Sequence, residues 1–156
     1  QAAVSLSNYQ VAQALLDECR HPRAQPSVLV IGAAGGVGTA LVQLAKREGL
    51  TVYGTVSTPE KAAFARANGV DDVVFYRSEP VVPRIRALTR GFGVGAVFDH
   101  AGGAEFVGLM GALGKWGSLV TYNAFAPLPE ANVVAALREH MAVCPAVRAF
   151  SFHACQ

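Results

Sequence analysis

Residues Val28-Leu29-Val30-Ile31-Gly32-Ala33-Ala34-Gly35-Gly36-Val37-Gly38 join an apolar run to four glycines within seven positions, and a helical pattern follows at once. That is how a buried parallel strand turns tightly into a helix whose amino terminus meets a phosphate. Gly35 presents no side chain to block a pyrophosphate, and Gly38 lets the helix lie close to the strand. The ligand class this predicts is a dinucleotide. About 20 positions beyond such a turn an acidic residue usually accepts hydrogen bonds from the adenosine ribose of NAD. Here the chain reads Tyr53-Gly54-Thr55-Val56-Ser57, without a carboxylate. Ser57 is placed to donate to a 2′-phosphate, and Lys61, one turn further, supplies a positive charge. A capping serine and a solvated lysine would be the ordinary reading of those two residues; the missing acid decides for NADP(H) over NAD(H).

Other constellations carry less. A phenol activated by an ammonium needs a tyrosine and a lysine four residues apart on a helix, but Gln13, Ser57, Pro80 and Ala126 follow Tyr9, Tyr53, Tyr76 and Tyr122 at that distance. A complete short-chain reductase is therefore disfavoured, although the glycine spacing and Asp99-His100-Ala101-Gly102 faintly match one. Asp99 beside His100 resembles an acid–base pair, yet an aspartate ending a strand more often anchors a loop. Cys19, Cys144 and Cys155 are odd in number and lack metal-ligand spacing, so they read as reduced thiols of a cytoplasmic protein. No catalytic residue and no metal site is expected.

The elements that must hold these residues alternate along the chain. A helix is predicted over 6–20, with Val11, Leu15 and Leu16 on one face, and two prolines in 21–26 end it. Strands are predicted at 27–32, 51–56, 73–76, 94–99, 117–122 and 147–152. Helices are predicted between them at 36–48, 59–68, about 80–90, 104–113 and 129–142. Parallel neighbours require such crossovers. The fold class is thus α/β, a Rossmann-type doubly wound six-stranded parallel sheet with helices on both faces.

The bulk numbers agree. The 156 residues suffice for one domain with a proper core, and hydrophobic residues make up 52% against 15% charged, well under the typical charged share of about 25%. Strands buried on both faces account for part of that; a surface covered by something outside the chain would account for the rest. A formal net charge of +2 with no basic run excludes nucleic acid and anionic membrane as partners. The apolar stretches are strand-sized, too short to span a bilayer. No signal peptide is visible, and the chain opens at Gln1.

From about Leu6 onward the chain resembles the medium-chain dehydrogenase/reductase superfamily, in its zinc-independent quinone oxidoreductase branch. Gly32-Ala33-Ala34-Gly35-Gly36-Val37-Gly38 is similar to that branch's turn, with alanine replacing the first glycine of the fingerprint. Gly54-Thr55-Val56-Ser57-Thr58-Pro59-Glu60-Lys61 is similar to its 2′-phosphate loop. Asn68 to Tyr76, Val97 to Gly102 and Gly117 to Asn123 resemble its later strands, at family spacing.

The resemblance implies cofactor contacts at Ala34 and Ala101 and from the backbone of Gly35, Gly36 and Val37. It implies a phosphate selected by Ser57, Lys61 and Tyr76, and a nicotinamide end lined by Tyr122, Asn123 and Ala124. Ser7 would meet the carboxamide, where the family has a threonine; His100 stands where it commonly has a small residue. Hydride transfer from NADPH to a quinone or an α,β-unsaturated carbonyl follows for the intact enzyme. A GroES-like catalytic domain would lie outside these residues. The chain, 1–156, is then an NADP(H)-binding domain led in by helix 1–20, expected to bind cofactor without efficient turnover and to pair as a homodimer through 147–152. A nucleotide-sensing module without chemistry would share the same glycines and lysine.

Overall fold

A computed structural model describes the backbone of residues 2–155 and the side chains of 3–154, so the expected thiol of Cys155 lies outside the described side chains. Six parallel strands form one sheet: β1 (Ser27–Val30), β2 (Thr51–Val56), β3 (Asp72–Phe75), β4 (Val94–Asp99), β5 (Leu113–Thr121) and β6 (Ala146–Ala149), in the order β3-β2-β1-β4-β5-β6. Helix α1 (Ala2–Glu18) leads into β1, and α2 (Gly36–Arg47), α3 (Pro59–Ala67), α4 (Val81–Leu88) and α5 (Val133–Glu139) provide most of the crossovers. The doubly wound α/β architecture is the one predicted.

Side chains alternate between the sheet's two faces. Val28, Val30, Ala96, Phe98 and Val120 pack under α1, α2 and α3 in one core. Their neighbours Leu29, Val97 and Leu119 face the opposite way, into a second core with Ile85 of α4 and Ala136 of α5. Both faces are dry along β1 and β4, which is why those strands read as apolar runs, while the edge strand β6 stays largely exposed. Among the described residues no helix is long and apolar enough to cross a membrane.

The first helix runs Ala2–Glu18 where 6–20 was predicted and the first strand ends at Val30 where 32 was predicted, and larger departures follow β4. The helix predicted at 104–113 is only a 3-10 segment over Val107–Ala112, and β5 begins at Leu113 instead of 117. Gly108 and Gly111 weaken a helix there, and Leu113 pairs with Val94 before a register shift brings Ser118 opposite Ala96. That bulge holds Trp116 at φ +61°. The helix predicted at 129–142 shrinks to α5, where Asn132 accepts a hydrogen bond from the Ala135 amide at 3.0 Å and so sets its start. The strand predicted at 147–152 runs from Ala146 only to Ala149, and the chain turns into a 3-10 segment at Phe152–Cys155.

Candidate nucleotide site

In this strand order the chain leaves β1 toward one edge of the sheet and returns through β4 toward the other. The connections that leave the adjacent carboxyl ends of β1 and β4 therefore diverge, and ligands of such sheets bind in the crevice this opens. A cleft of about 800 Å³ opens there.

The glycine turn forms its floor. Gly32 takes φ +72°, and Gly38 sits so close that a Cβ on it would lie 2.3 Å from the Gly32 carbonyl oxygen. Only glycine lets α2 meet the turn at that distance. A Cβ on Gly54 would lie 2.5 Å from the Ala33 methyl, so the alanine in the fingerprint is accommodated by a glycine on β2. Gly35 behaves differently: the nearest atom to a Cβ there is 3.4 Å away, and the residue is exposed on the cleft. Its own N–H closes the turn on the Gly32 carbonyl at 3.1 Å. Gly35 therefore contributes space, not a donor. The amides that follow, Gly36 and Val37, begin α2 with no side-chain cap and no acidic residue in the first turn, the arrangement that accepts an anion.

At the end of β2, Thr58 and not Ser57 caps α3, its Oγ1 accepting from the Lys61 amide at 3.2 Å. Ser57 is left facing the cleft, and the Lys61 ammonium donates to its Oγ at 3.3 Å. The serine proton thus remains available to an anionic oxygen beside a positive charge. Tyr76 stands half-exposed on the same cleft, with the Arg77 guanidinium 5.8 Å from its ring centroid. Ala34 and Ala101 line the cleft as well.

The remaining expected residues lie elsewhere. Ser7 is exposed in the interior of α1 and lines neither this cleft nor the groove of about 520 Å³ between α1 and the turn; its neighbours Ser5 and Asn8 line that groove, together with Gly36. Val37 packs its side chain against the first core. Tyr122 is half-buried, and burial, with a smaller contribution from the Asp99 carboxylate, pushes its phenol above the ordinary range. Asn123 spends its side chain on the loop, donating to the His100 carbonyl at 3.0 Å and accepting from the Phe125 amide at 3.1 Å. Ala124 is exposed. Tyr122, Asn123 and Ala124 thus follow β5 beside the cleft without lining it.

Asp99 is the buried anchor expected of it. Its two oxygens accept from the amides of Ala101 at 3.3 Å and Gly102 at 2.8 Å. Burial raises its carboxyl above the usual range, and those amides, with His100, partly oppose the rise.

Two functional residues escaped the sequence reading. Thr55, fully buried, accepts the Gly32 amide on its Oγ1 at 3.0 Å and the Ala33 amide on its carbonyl at 3.1 Å, pinning the turn to β2. Its signal was a polar residue inside an apolar strand. Arg77 adds a second cation, with Lys61, to the cleft lining, signalled only by its place beside Tyr76.

The sequence profile of the zinc-binding dehydrogenases matches residues 36–145. A quinone oxidoreductase of Pseudomonas aeruginosa is 34% identical over 134 residues, which is 85% of this chain and 41% of that protein. The crystal structure of a 2-haloacrylate reductase superposes with a TM-score of 0.88 at 28% identity, covering 97% of this chain and 47% of that one. A mycobacterial protein solved as a complex with NADPH gives 0.85 at 33% identity, covering 97% and 46%. The chain spans less than half the length of each of these relatives. Zinc is implied by the family's description. Among the described residues, however, no group of three or more His, Cys, Asp or Glu side chains could hold a metal ion. The described residues do not fit such a site.

Proposed function

The chain belongs to the zinc-binding dehydrogenase family, and from that premise we propose that it is the NADP(H)-binding domain of an oxidoreductase acting on a quinone or an α,β-unsaturated carbonyl. The observation that carries the proposal is the Ser57–Lys61 pair at the end of β2, where NAD-binding relatives of the fold place an acid. The NADPH complex of a 33% identical structure supports the same cofactor.

When bound, the cofactor supplies the hydride. The chain's own residues do the rest. Ser57 and Lys61 hold the 2′-phosphate, with Arg77 and Tyr76 beside it. The open Gly35 position and the amides of Gly36 and Val37 seat the pyrophosphate, and Ala34 and Ala101 shape the walls. Tyr122, Asn123 and Ala124 border the nicotinamide end, and Ser7 approaches it only if α1 meets the cofactor. Neither Asp99 nor Tyr122 is assigned a proton-transfer role: Asp99 accepts from two loop amides, and burial makes the Tyr122 phenol a weaker acid than usual. The domain accordingly binds cofactor without efficient turnover, and a GroES-like domain completes the substrate pocket. Phe125 and Leu128, almost fully exposed after β5, suit a covered surface. Pairing of two copies along the β6 edge and a cytoplasmic setting complete the reading.

Titration of the purified chain with NADPH and NADH, repeated on Lys61→Ala, tests this reading. Preference for NADPH that falls at least tenfold in the variant, as loss of a charge-assisted hydrogen bond predicts, supports it. Equal affinity for the two cofactors, or a preference untouched by the variant, overturns it.

A further inference from the structure

We propose that His100 is a pyrophosphate-contacting residue, and that its protonation makes dinucleotide binding tighten as pH falls. The inference rests on the cofactor assignment above.

His100 follows Asp99 at the carboxyl end of β4, across the crevice from the end of β1. Its Nδ1 lies 3.1 Å from the Ile31 carbonyl oxygen. A carbonyl only accepts, so Nδ1 carries a proton in the neutral ring. The second nitrogen, Nε2, has no hydrogen-bond partner among the described residues. It is the free end of a ring laid directly on the glycine turn: a Cβ on Gly32 would fall 2.4 Å from Cε1 and 3.3 Å from each ring nitrogen. The absent side chain of Gly32 is the space the imidazole occupies. The ring is exposed and lines the cleft with Gly32, Ala34 and Gly35.

A pyrophosphate seated on that turn meets Nε2. The neutral ring offers it a lone pair, which an anion does not want. The protonated ring offers a second N–H and a positive charge, while the bond to Ile31 survives in both states. The anion therefore favours the protonated form, and by linkage the protonated form binds it more tightly. The charged and titratable groups around the ring are Asp99 on its own strand, Tyr122 after β5 with ring centroids 6.1 Å apart, and Lys61, Tyr76, Arg77, Glu79 and Glu105 elsewhere on the cleft. None of them bonds to Nε2.

Calorimetric titrations of the full chain with NADP⁺ and with adenosine 2′-monophosphate, from pH 8.5 to 6.0, separate this contact from the 2′-phosphate site. The second probe carries the 2′-phosphate but no pyrophosphate. In the wild-type chain the affinity ratio of NADP⁺ to the monophosphate should rise about tenfold over that range, the factor one added charge-assisted hydrogen bond carries. His100→Gln should flatten the rise, and His100→Asn should do the same with a shorter side chain. A ratio independent of pH, or an equal rise in both variants, overturns the role of His100 while leaving the cofactor assignment standing. Failure of the wild-type chain to bind either probe overturns both.

Discussion

Glycine does opposite work at the two ends of the sheet. At the carboxyl end, Gly35 keeps a surface bare: a Cβ there would meet nothing nearer than 3.4 Å, and the space is cleft. At the amino end, Gly95 and Gly114 let chain meet chain. A Cβ on Gly95 would lie 2.1 Å from the Gln25 carbonyl oxygen, and one on Gly114 would lie 2.3 Å from that of Phe92. Beside them His21 stacks on Trp116 at 4.8 Å, with the Arg23 guanidinium 5.7 Å from the same ring. Gly35 stands open to the cleft, whereas Gly95 and Gly114, like Gly38 beside the turn, are closed by backbone. Residue type alone does not separate the two roles, because what matters is whether protein or solvent faces the missing methyl.

Substitutions sharpen that contrast. Gly95→Ala should have the largest effect. Its methyl meets backbone that cannot swing away, costing about 3 kcal/mol or more. Thermal denaturation should show a fall in Tm of roughly 10 °C; an unchanged Tm would mean that the amino end is not closed as described. Gly35→Ala should do the reverse, costing the fold under about 1 kcal/mol while abolishing most of the stabilisation that saturating NADP⁺ confers. That stabilisation is about 2.7 kcal/mol at a hundredfold excess over Kd, read as a ligand-induced shift in Tm. A variant that keeps the full shift would deny that the space at Gly35 serves the cofactor. Thr58→Ala should have the smallest effect. Loss of the α3 cap costs about 1 kcal/mol and lowers Tm by a few degrees, with the NADPH-to-NADH preference unchanged because Ser57 and Lys61 remain. A lost preference would make the cap part of the phosphate site.

Much of the carboxyl end was legible in the chain. The glycine turn, the missing acid and the Ser57–Lys61 spacing all lie within local sequence, and the cleft gathers Ala34, Gly35, Ser57, Lys61, Tyr76 and Ala101. The amino end was not legible. Residues 104–113 carry a helix-like apolar pattern, but their fate turns on the pairing of Leu113 with Val94 and on the bulge that follows. Ser7 lines neither cavity for a related reason: which face of α1 meets the turn is set by packing against α2. Thr55 was missed because its partners, the Gly32 and Ala33 amides, are distant in sequence, and Arg77 because its place on the cleft depends on where β3 ends beside the glycine turn.

The order of strands and helices, the class of ligand and the choice of phosphate over ribose hydroxyl were determined by the sequence by itself, since hydrophobic period, turn chemistry and the presence of a carboxylate are local properties. Tertiary structure alone decided which glycines open a surface and which close one. It also laid an imidazole into the space above Gly32. Each of those outcomes depends on what a distant strand or loop brings within a few ångströms, and that is settled only when the two halves of the sheet meet.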